Sequence, residues 1–165
     1  MGEKMLEIKG IENLNNRERL DYMVDFGKAT IKTEKDMIAM MANISSIIFN
    51  VVTDLNWAGF YLLRDKELVL GPFQGLPACT RLADEGVCIS AVKEEKVMRV
   101  ENVHDFHGHV ACDSASKSEL VLPIKVKGKI IGVLDLDSPK LSRFTSLEEE
   151  KFSELVNAME AELNK

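Results

Sequence analysis

Residues 119–137 carry the strongest structural signal in the chain, two runs of alternating apolar residues that flank Lys127-Gly128. Glycine adopts positive φ without strain, so the pattern predicts a β-hairpin with strands 119–126 and 129–137. Side chains alternate between the two faces of a strand, and every second residue therefore shares a face. The predicted core face comprises Leu120, Leu122, Ile124, Val126, Ile130, Leu134 and Leu136.

The same alternation predicts the register of this hairpin. A two-residue turn at Lys127-Gly128 would put the two apolar sets on opposite faces of the sheet. A three-residue loop that ends at Gly128 would bring both sets to one face, and it would pair Glu119 with Asp135. We therefore expect the three-residue loop, with Glu119, Asp135 and Asp137 clustered on the face opposite the core.

Three clustered carboxylates can do chemistry, because like charges held close together raise the pKa of at least one of them. Such a group can keep a proton for donation, or the cluster can attract an ammonium ion. The alternative interpretation is an ordinary solvated strand face.

The rest of the chain predicts helices around an antiparallel sheet, which is the α+β class. Helices are predicted at Arg17–Ile31, from Glu34 to about Leu55 with Thr33 as its cap, at Val87–Glu95 and at Leu147–Leu163. Further strands are predicted at Asn56–Arg64, Lys66–Phe73 and Lys96–Val100. Residues 1–16 are predicted to be a polar lead-in, and residues 17–165 a single domain.

Composition excludes several classes of partner. The 165 residues are 45% hydrophobic and 29% charged, with a net charge of −6. This acidic balance argues against nucleic acid or an anionic membrane as a partner. The sequence contains no apolar run long enough to span a membrane and no signal peptide, which indicates a cytoplasmic protein. Structural disulfides are rare there, so any disulfide would be transient and catalytic.

Cys112 lies in the polar segment Gly108–Ser114, which is typical of the loops where catalytic residues concentrate. Nearby imidazolium would favour its thiolate and the Asp113 carboxylate would oppose it, so the pattern leaves its reactivity open. The nearby histidines are His104, His107 and His109.

The other two cysteines, Cys79 and Cys88, lie near predicted turns. Cys88 begins a predicted helix, whose dipole favours a thiolate, although a small core residue is the alternative. A zinc site made by the three cysteines and one histidine is disfavoured, because structural zinc ligands are usually paired as C-x2–4-C.

Trp57 and Tyr61 bracket Gly59 on one face of a predicted strand. Two aromatic rings on either side of a glycine can form a flat-walled pocket for a small ligand. Plain core packing is the alternative, but the polar atom on each ring suits a pocket wall better.

Five motifs in order resemble those of the free methionine-(R)-sulfoxide reductases, enzymes built on a GAF domain. They are Asn56–Tyr61, Leu70–Gly75 with Pro77-Ala78-Cys79, Gly86-Val87-Cys88, Gly108–Ser114 with Ser118-Glu119, and Gly132–Ser138. The resemblance extends from about residue 20 to the C-terminus and implies a single GAF domain. It also implies reduction of the free sulfoxide, recycling by a thioredoxin-like dithiol, no metal or organic cofactor, and in many members a homodimer.

The resemblance also implies roles for individual residues. Cys112 matches the cysteine that attacks the sulfoxide sulfur and becomes a sulfenic acid, and either Cys79 or Cys88 then forms a disulfide with it. Trp57 and Tyr61 match pocket residues around the methyl and sulfoxide groups. The acidic residues that hold the substrate ammonium and assist protonation match Glu119, Asp135 and Asp137.

Two other functions remain open from the sequence. A GAF domain often serves as a ligand sensor without catalysis, which is an argument by analogy of fold. A thiol redox switch would instead form a disulfide between Cys112 and Cys79 or Cys88 in response to an oxidant.

Overall fold

The computed structural model describes residues 7–108 and 114–165, which form a six-stranded antiparallel sheet with helices on both faces. The predicted α+β class is confirmed. The helices are α1 (Asn16–Thr33), α2 (Met37–Val51), α3 (Val87–Glu94) and α4 (Ser146–Leu163), with a 3-10 helix at Val103–Asp105. The strands, in the sheet order β3-β2-β1-β6-β5-β4, are β1 (Trp57–Arg64), β2 (Glu67–Gly75), β3 (Arg81–Leu82), β4 (Met98–Val100), β5 (Ser118–Val126) and β6 (Lys129–Ser138).

The second helix differs from its predicted bounds at both ends. Glu34 is extended, with φ −104° and ψ 132°, and its carboxylate accepts a hydrogen bond of 2.8 Å from the Asp36 N–H. Asp36 rather than Thr33 is therefore the N-cap of α2. The helix ends at Val51, before the predicted Leu55, because the chain turns to extended geometry at the next residue.

The apolar side of α2 belongs to the core. Its buried residues pack against α1 and against β1 and β2 on one face of the sheet. Ile38 is the exception, with 47% of its surface exposed. Within the described residues, none of the helices has both the length and the apolar character that crossing a membrane requires.

The β5–β6 hairpin has the predicted strands but not the predicted loop. Val126 pairs with Lys129 across a two-residue turn, in which Lys127 has φ 51° and Gly128 has φ 74°. Two positive φ values are typical of a type I′ turn, whose twist matches that of the flanking strands. The alternation is restored by a bulge: Lys125 pairs with Ile130 but the preceding residue pairs with Gly132.

This bulge keeps the predicted faces while it changes the predicted pairs. Glu119 lies opposite Asp137, and Asp135 lies opposite Val121, instead of the predicted Glu119–Asp135 pair. All three carboxylates still share a face, because one extra residue in β6 shifts the register by the one position that alternation requires.

The sheet separates two cores. The larger one lies against α1, α2 and α4 and contains Ala58, Phe60 and Leu62 from β1. The smaller one lies on the other face with α3 and contains Trp57 and Tyr61. The predicted division of β1 residues between the two faces is confirmed, and it directs the predicted site residues toward α3.

Glu148 joins the beginnings of α1 and α4. Its carboxylate is almost fully buried and accepts hydrogen bonds from Asn16 Nδ2 and Arg143 Nη1, each at 2.7 Å, and from the Thr145 N–H at 2.9 Å. Burial alone would raise the pKa of Glu148. The hydrogen bonds from Thr145, Asn16 and Arg143 outweigh burial and lower the pKa to about 2.

We expect Glu148→Gln to lower the free energy of unfolding by about 2 to 3 kcal/mol at pH 7. The folded pKa lies below the unfolded value, so the stabilisation is present above about pH 4.5 and is lost as the pH falls toward 2. Urea unfolding at pH 7 and pH 3 measures this difference. The exposed Glu150→Gln is the matched control and should change stability by less than about 0.5 kcal/mol. An equal loss at both pH values would contradict the argument.

Candidate active site

One pocket lies between α3 and the face of the sheet that carries the smaller core. It is lined by six of the eight residues that the sequence analysis assigned to the site, namely Trp57, Tyr61, Cys88, Glu119, Asp135 and Asp137. Cys79 directly follows Ala78, which is also part of the lining. Cys112 lies outside the described residues. The face prediction and the β1 pattern therefore converge on a single cavity.

Trp57 forms a rigid wall of this pocket. Its ring is stacked with those of Tyr61 and Phe73, with centroid distances of 5.7 and 5.2 Å and interplanar angles of 24° and 14°. The ring lies across Gly59, where an added Cβ would approach Trp57 Cη2 to 2.7 Å. Glycine at this position therefore lets the indole lie flat against the strand.

Tyr61 has a second role that the sequence did not indicate. Its hydroxyl donates a hydrogen bond of 3.0 Å to the backbone carbonyl of Cys79. Burial raises the pKa of Tyr61, and the negative charge of Asp135 and its neighbours raises it further, so the hydroxyl stays protonated and donates. Tyr61 thus fixes the Cys79 backbone above the floor of the pocket.

The carboxylates are buried together on the floor of the pocket. Glu119 is 5% exposed and Asp135 is 6% exposed. Burial raises the pKa of Glu119 well above its usual range, and the charges of Asp135 and Asp137 raise it further. Burial also raises the pKa of Asp135, to about 7, although hydrogen bonds from Cys88 and Glu119 oppose the shift. The floor therefore holds protons at neutral pH.

Cys88 is a buried free thiol next to these carboxylates. Its Sγ lies 3.8 Å from Glu119 Oε1. Burial raises the pKa of this thiol well above its usual range, and the charges of Asp135 and Glu119 add to the effect. The predicted activation by the helix dipole is therefore overridden, because desolvation and two close carboxylates act against the thiolate. Ligand atoms of Cys88, Glu119 and Asp135 lie within 4.8 Å of one another, a spacing that could also hold a metal ion.

Two buried polar atoms in this pocket have no hydrogen-bond partner among the described residues. They are the indole Nε1 of Trp57 and Oδ1 of Asp135. Buried polar groups are nearly always paired, and an unpaired donor and an unpaired acceptor in the lining of one pocket are expected where a polar ligand binds. The ligand must then offer both an acceptor and a donor.

Comparison with known proteins identifies the family. The GAF domain model matches residues 38–163. The free methionine-R-sulfoxide reductase of Escherichia coli strain K12 is 51% identical over 141 residues, which cover 85% of each chain. The chain belongs to the free methionine-R-sulfoxide reductases.

Solved structures of this family have the same fold. The reduced form of fRMsr of Staphylococcus aureus is 42% identical, with a TM-score of 0.85, over 92% of this chain and 97% of that one. The free methionine-R-sulfoxide reductase of Neisseria meningitidis in complex with its substrate is 31% identical, with a TM-score of 0.90, over 96% of both chains.

Within this reductase fold, Cys79 and Cys88 differ in redox state. Cys79 is disulfide-bonded, whereas Cys88 is a free thiol. His104 and His107 are exposed and do not line the pocket, and His109 lies outside the described residues. The zinc set considered from the sequence is therefore not assembled among the described residues.

Sequence reasoning missed part of the lining. Glu85, Gly86 and Ser116 also face the pocket. Glu85 packs on Gly108, where an added Cβ would approach the Glu85 carboxylate to 2.5 Å, so the segments around residues 85 and 108 meet at the rim. Gly86, at φ 118°, was the available signal, because a glycine directly before a helix often marks a close approach of backbone to a ligand.

Proposed function

We propose that this protein reduces free L-methionine-(R)-sulfoxide to L-methionine. The observation that carries the proposal is the buried pair Glu119 and Asp135 facing the stacked ring of Trp57, with a disulfide-bonded cysteine at the edge of the same pocket. The family relationship supports the substrate, since relatives named for this activity are 51% and 34% identical to the chain.

Each part of the substrate has a matching surface. The S-methyl group packs against the Trp57 ring, which offers a flat apolar wall. The ammonium group pairs with Asp135 and Asp137, because a cation lowers the cost of ionising a buried carboxyl. A methionine inside a polypeptide lacks this ammonium group, so the acidic floor favours the free amino acid.

Glu119 is the proposed general acid. Oxygen is a poor leaving group from a sulfoxide unless it is protonated, and a carboxyl with a raised pKa holds the proton at neutral pH. In the proposed step the Cys112 thiolate attacks the sulfoxide sulfur while Glu119 protonates the oxygen. The hydroxyl then transfers from the substrate sulfur to the Cys112 sulfur, so that the substrate sulfur–oxygen bond and the transient sulfur–sulfur bond both break. Methionine leaves with two more electrons, and Cys112, oxidised by two electrons, remains as a sulfenic acid.

Cys79 is the proposed resolving residue. Its thiol attacks the sulfenic sulfur, a disulfide with Cys112 forms, and water leaves. Support comes from the two described cysteines, because Cys79 is disulfide-bonded while Cys88 is buried with a raised thiol pKa. A buried, protonated thiol is a weak nucleophile. We assign Cys88 to the pocket floor, where it contacts Glu119.

Recycling requires an external dithiol, which accepts the disulfide through a mixed-disulfide intermediate. We propose a thioredoxin-like protein in the cytoplasm as this reductant, and a homodimer as the assembly. Light scattering on the purified protein measures the assembly directly.

A stereochemical assay tests the proposed function. We expect the protein, with dithiothreitol, to convert the R epimer of free methionine sulfoxide to methionine and to leave the S epimer intact. Chromatography that resolves both epimers measures the conversion, and N-acetylmethionine sulfoxide, which lacks the ammonium group, is the matched control. Tight binding of the R epimer without turnover would instead indicate a GAF sensor.

A further inference from the structure

We propose that the first turn of α3 binds the α-carboxylate of the substrate through the backbone N–H groups of Val87, Cys88 and Ile89. This inference rests on the proposed function and names the group that recognises the second charge of the amino acid. The ligand would then be an α-amino acid zwitterion. The acidic floor would bind its ammonium group, and the N-terminus of α3 would bind its carboxylate.

Among the residues that the structure describes, the pocket has no other source of positive charge. Its lining contains no lysine, arginine or histidine among the described residues, although it contains four carboxyl side chains. A zwitterion would therefore leave its carboxylate uncompensated unless backbone dipoles balance it. Val87, Cys88 and Ile89 all line the pocket, and they form the first turn of α3.

The N–H groups of this turn are available. The N-cap is Gly86, which has no side chain and makes no capping hydrogen bond. The first hydrogen bond along α3 is donated by the Ser90 N–H to the Gly86 carbonyl at 2.9 Å. The three preceding amides have no acceptor among the described residues. Uncapped amides at a helix N-terminus attract anions, because the helix dipole places partial positive charge there.

Trp57 supplies independent evidence for a ligand with acceptor oxygens. The residue is 3% exposed, and its indole N–H lacks an acceptor among the described residues. A buried donor of this kind costs free energy until an acceptor arrives. The side chain lines the same pocket as the turn of α3, so an acceptor ligand is expected there.

The two charged surfaces are close enough for one amino acid. Cys88 belongs to the first turn of α3, and its Sγ lies 3.8 Å from Glu119 Oε1 on the acidic floor. The ammonium and carboxylate of an α-amino acid are separated by a single carbon atom. A peptide-bound methionine lacks both charges, so neither the acidic floor nor the α3 amides would bind it.

The first experiment compares the free acid of methionine-R-sulfoxide with its primary carboxamide, which keeps the ammonium and sulfoxide groups. We expect the KM of the carboxamide to be about 30-fold higher or more, with a smaller change in kcat, because charge-assisted hydrogen bonds are lost. Equal KM values would overturn the inference and leave the proposed function intact. Absence of turnover with the free acid would count against the proposed function instead.

The variant Val87→Pro locates the effect on α3. Proline is tolerated at the first helical position, Gly86 already has the extended ψ of 170° that a following proline requires, and the Val87 N–H is removed. We expect about a tenfold rise in KM for the free acid and little change for the carboxamide. Val87→Ala is the matched control, because it loses the same side chain but keeps the N–H and should keep the wild-type ratio of the two KM values.

An NMR titration tests the same contact without a variant and without turnover. We expect the amide signals of Val87, Cys88 and Ile89 in the reduced protein to shift with methionine and to stay in place with methioninamide. Shifts of equal size with both ligands would overturn the inference, whether or not Val87→Pro folds.

Discussion

Cys112→Ser is expected to abolish turnover, with kcat about a thousandfold lower or more, because a serine hydroxyl is far less nucleophilic toward sulfur than a thiolate. Cys79→Ser is expected to separate the two halves of the cycle. It should keep activity with dithiothreitol, which reduces the sulfenic acid directly, and lose activity with a thioredoxin-like protein. Steady-state kinetics with each reductant measures both effects.

Cys88→Ser is the matched control for these two variants. The hydroxyl can still donate to Glu119, so we expect a loss of no more than about tenfold, the amount that about 1 kcal/mol in one buried hydrogen bond accounts for. Abolished turnover in this variant, with activity retained in Cys112→Ser, would contradict the proposed assignment of the cysteines.

Asp135→Asn is expected to make the protein more stable and less active. The folded pKa of Asp135 is about 7, above its value in the unfolded chain, so ionisation costs stability as the pH rises from about 4 to 7. At pH 8 we expect the variant to be about 2 kcal/mol more stable than the wild type, with little difference at pH 4. Urea unfolding at both pH values measures this. Asp25→Asn, on the exposed side of α1, should change neither value.

The expected loss of activity in Asp135→Asn follows from the position of Asp135 on the pocket floor. Without the Asp135 charge the ammonium group loses a partner, and we expect kcat/KM for free methionine-R-sulfoxide to fall about 100-fold. Glu119→Gln should lower kcat by about 100- to 1,000-fold, the amount that a lost general acid accounts for. Unchanged kcat in Glu119→Gln would exclude Glu119 as the proton donor.

The β5–β6 hairpin shows which structural features the alternation of apolar residues can predict. The shared face of Glu119, Asp135 and Asp137 was predictable, because it depends only on which residues alternate with the apolar ones. The pairing was not, since a two-residue turn with a bulge and a three-residue loop satisfy the same pattern. The turn geometry at Lys127 and Gly128 decided between them.

The helix ends show a similar division. The predicted start of α4 at Leu147 is correct to within one residue, and in the structure Thr145 begins a capping box with Glu148. The same carboxylate also accepts hydrogen bonds from Asn16 and Arg143. Asn16 lies far away in sequence, so that contact and its effect on the pKa were not predictable.

The sequence by itself determined the fold class, the family and six of the side chains that line the pocket, because these depend on alternation, residue type and local motifs. Only the tertiary structure decided the state of Cys88, whose thiol is suppressed by burial against Glu119 and Asp135, and the hydrogen bond from Tyr61 to Cys79. The uncapped amides of α3 are a third feature that only the tertiary structure decided. Desolvation and backbone donors arise from segments that meet in space, and neither has a signature in residue order.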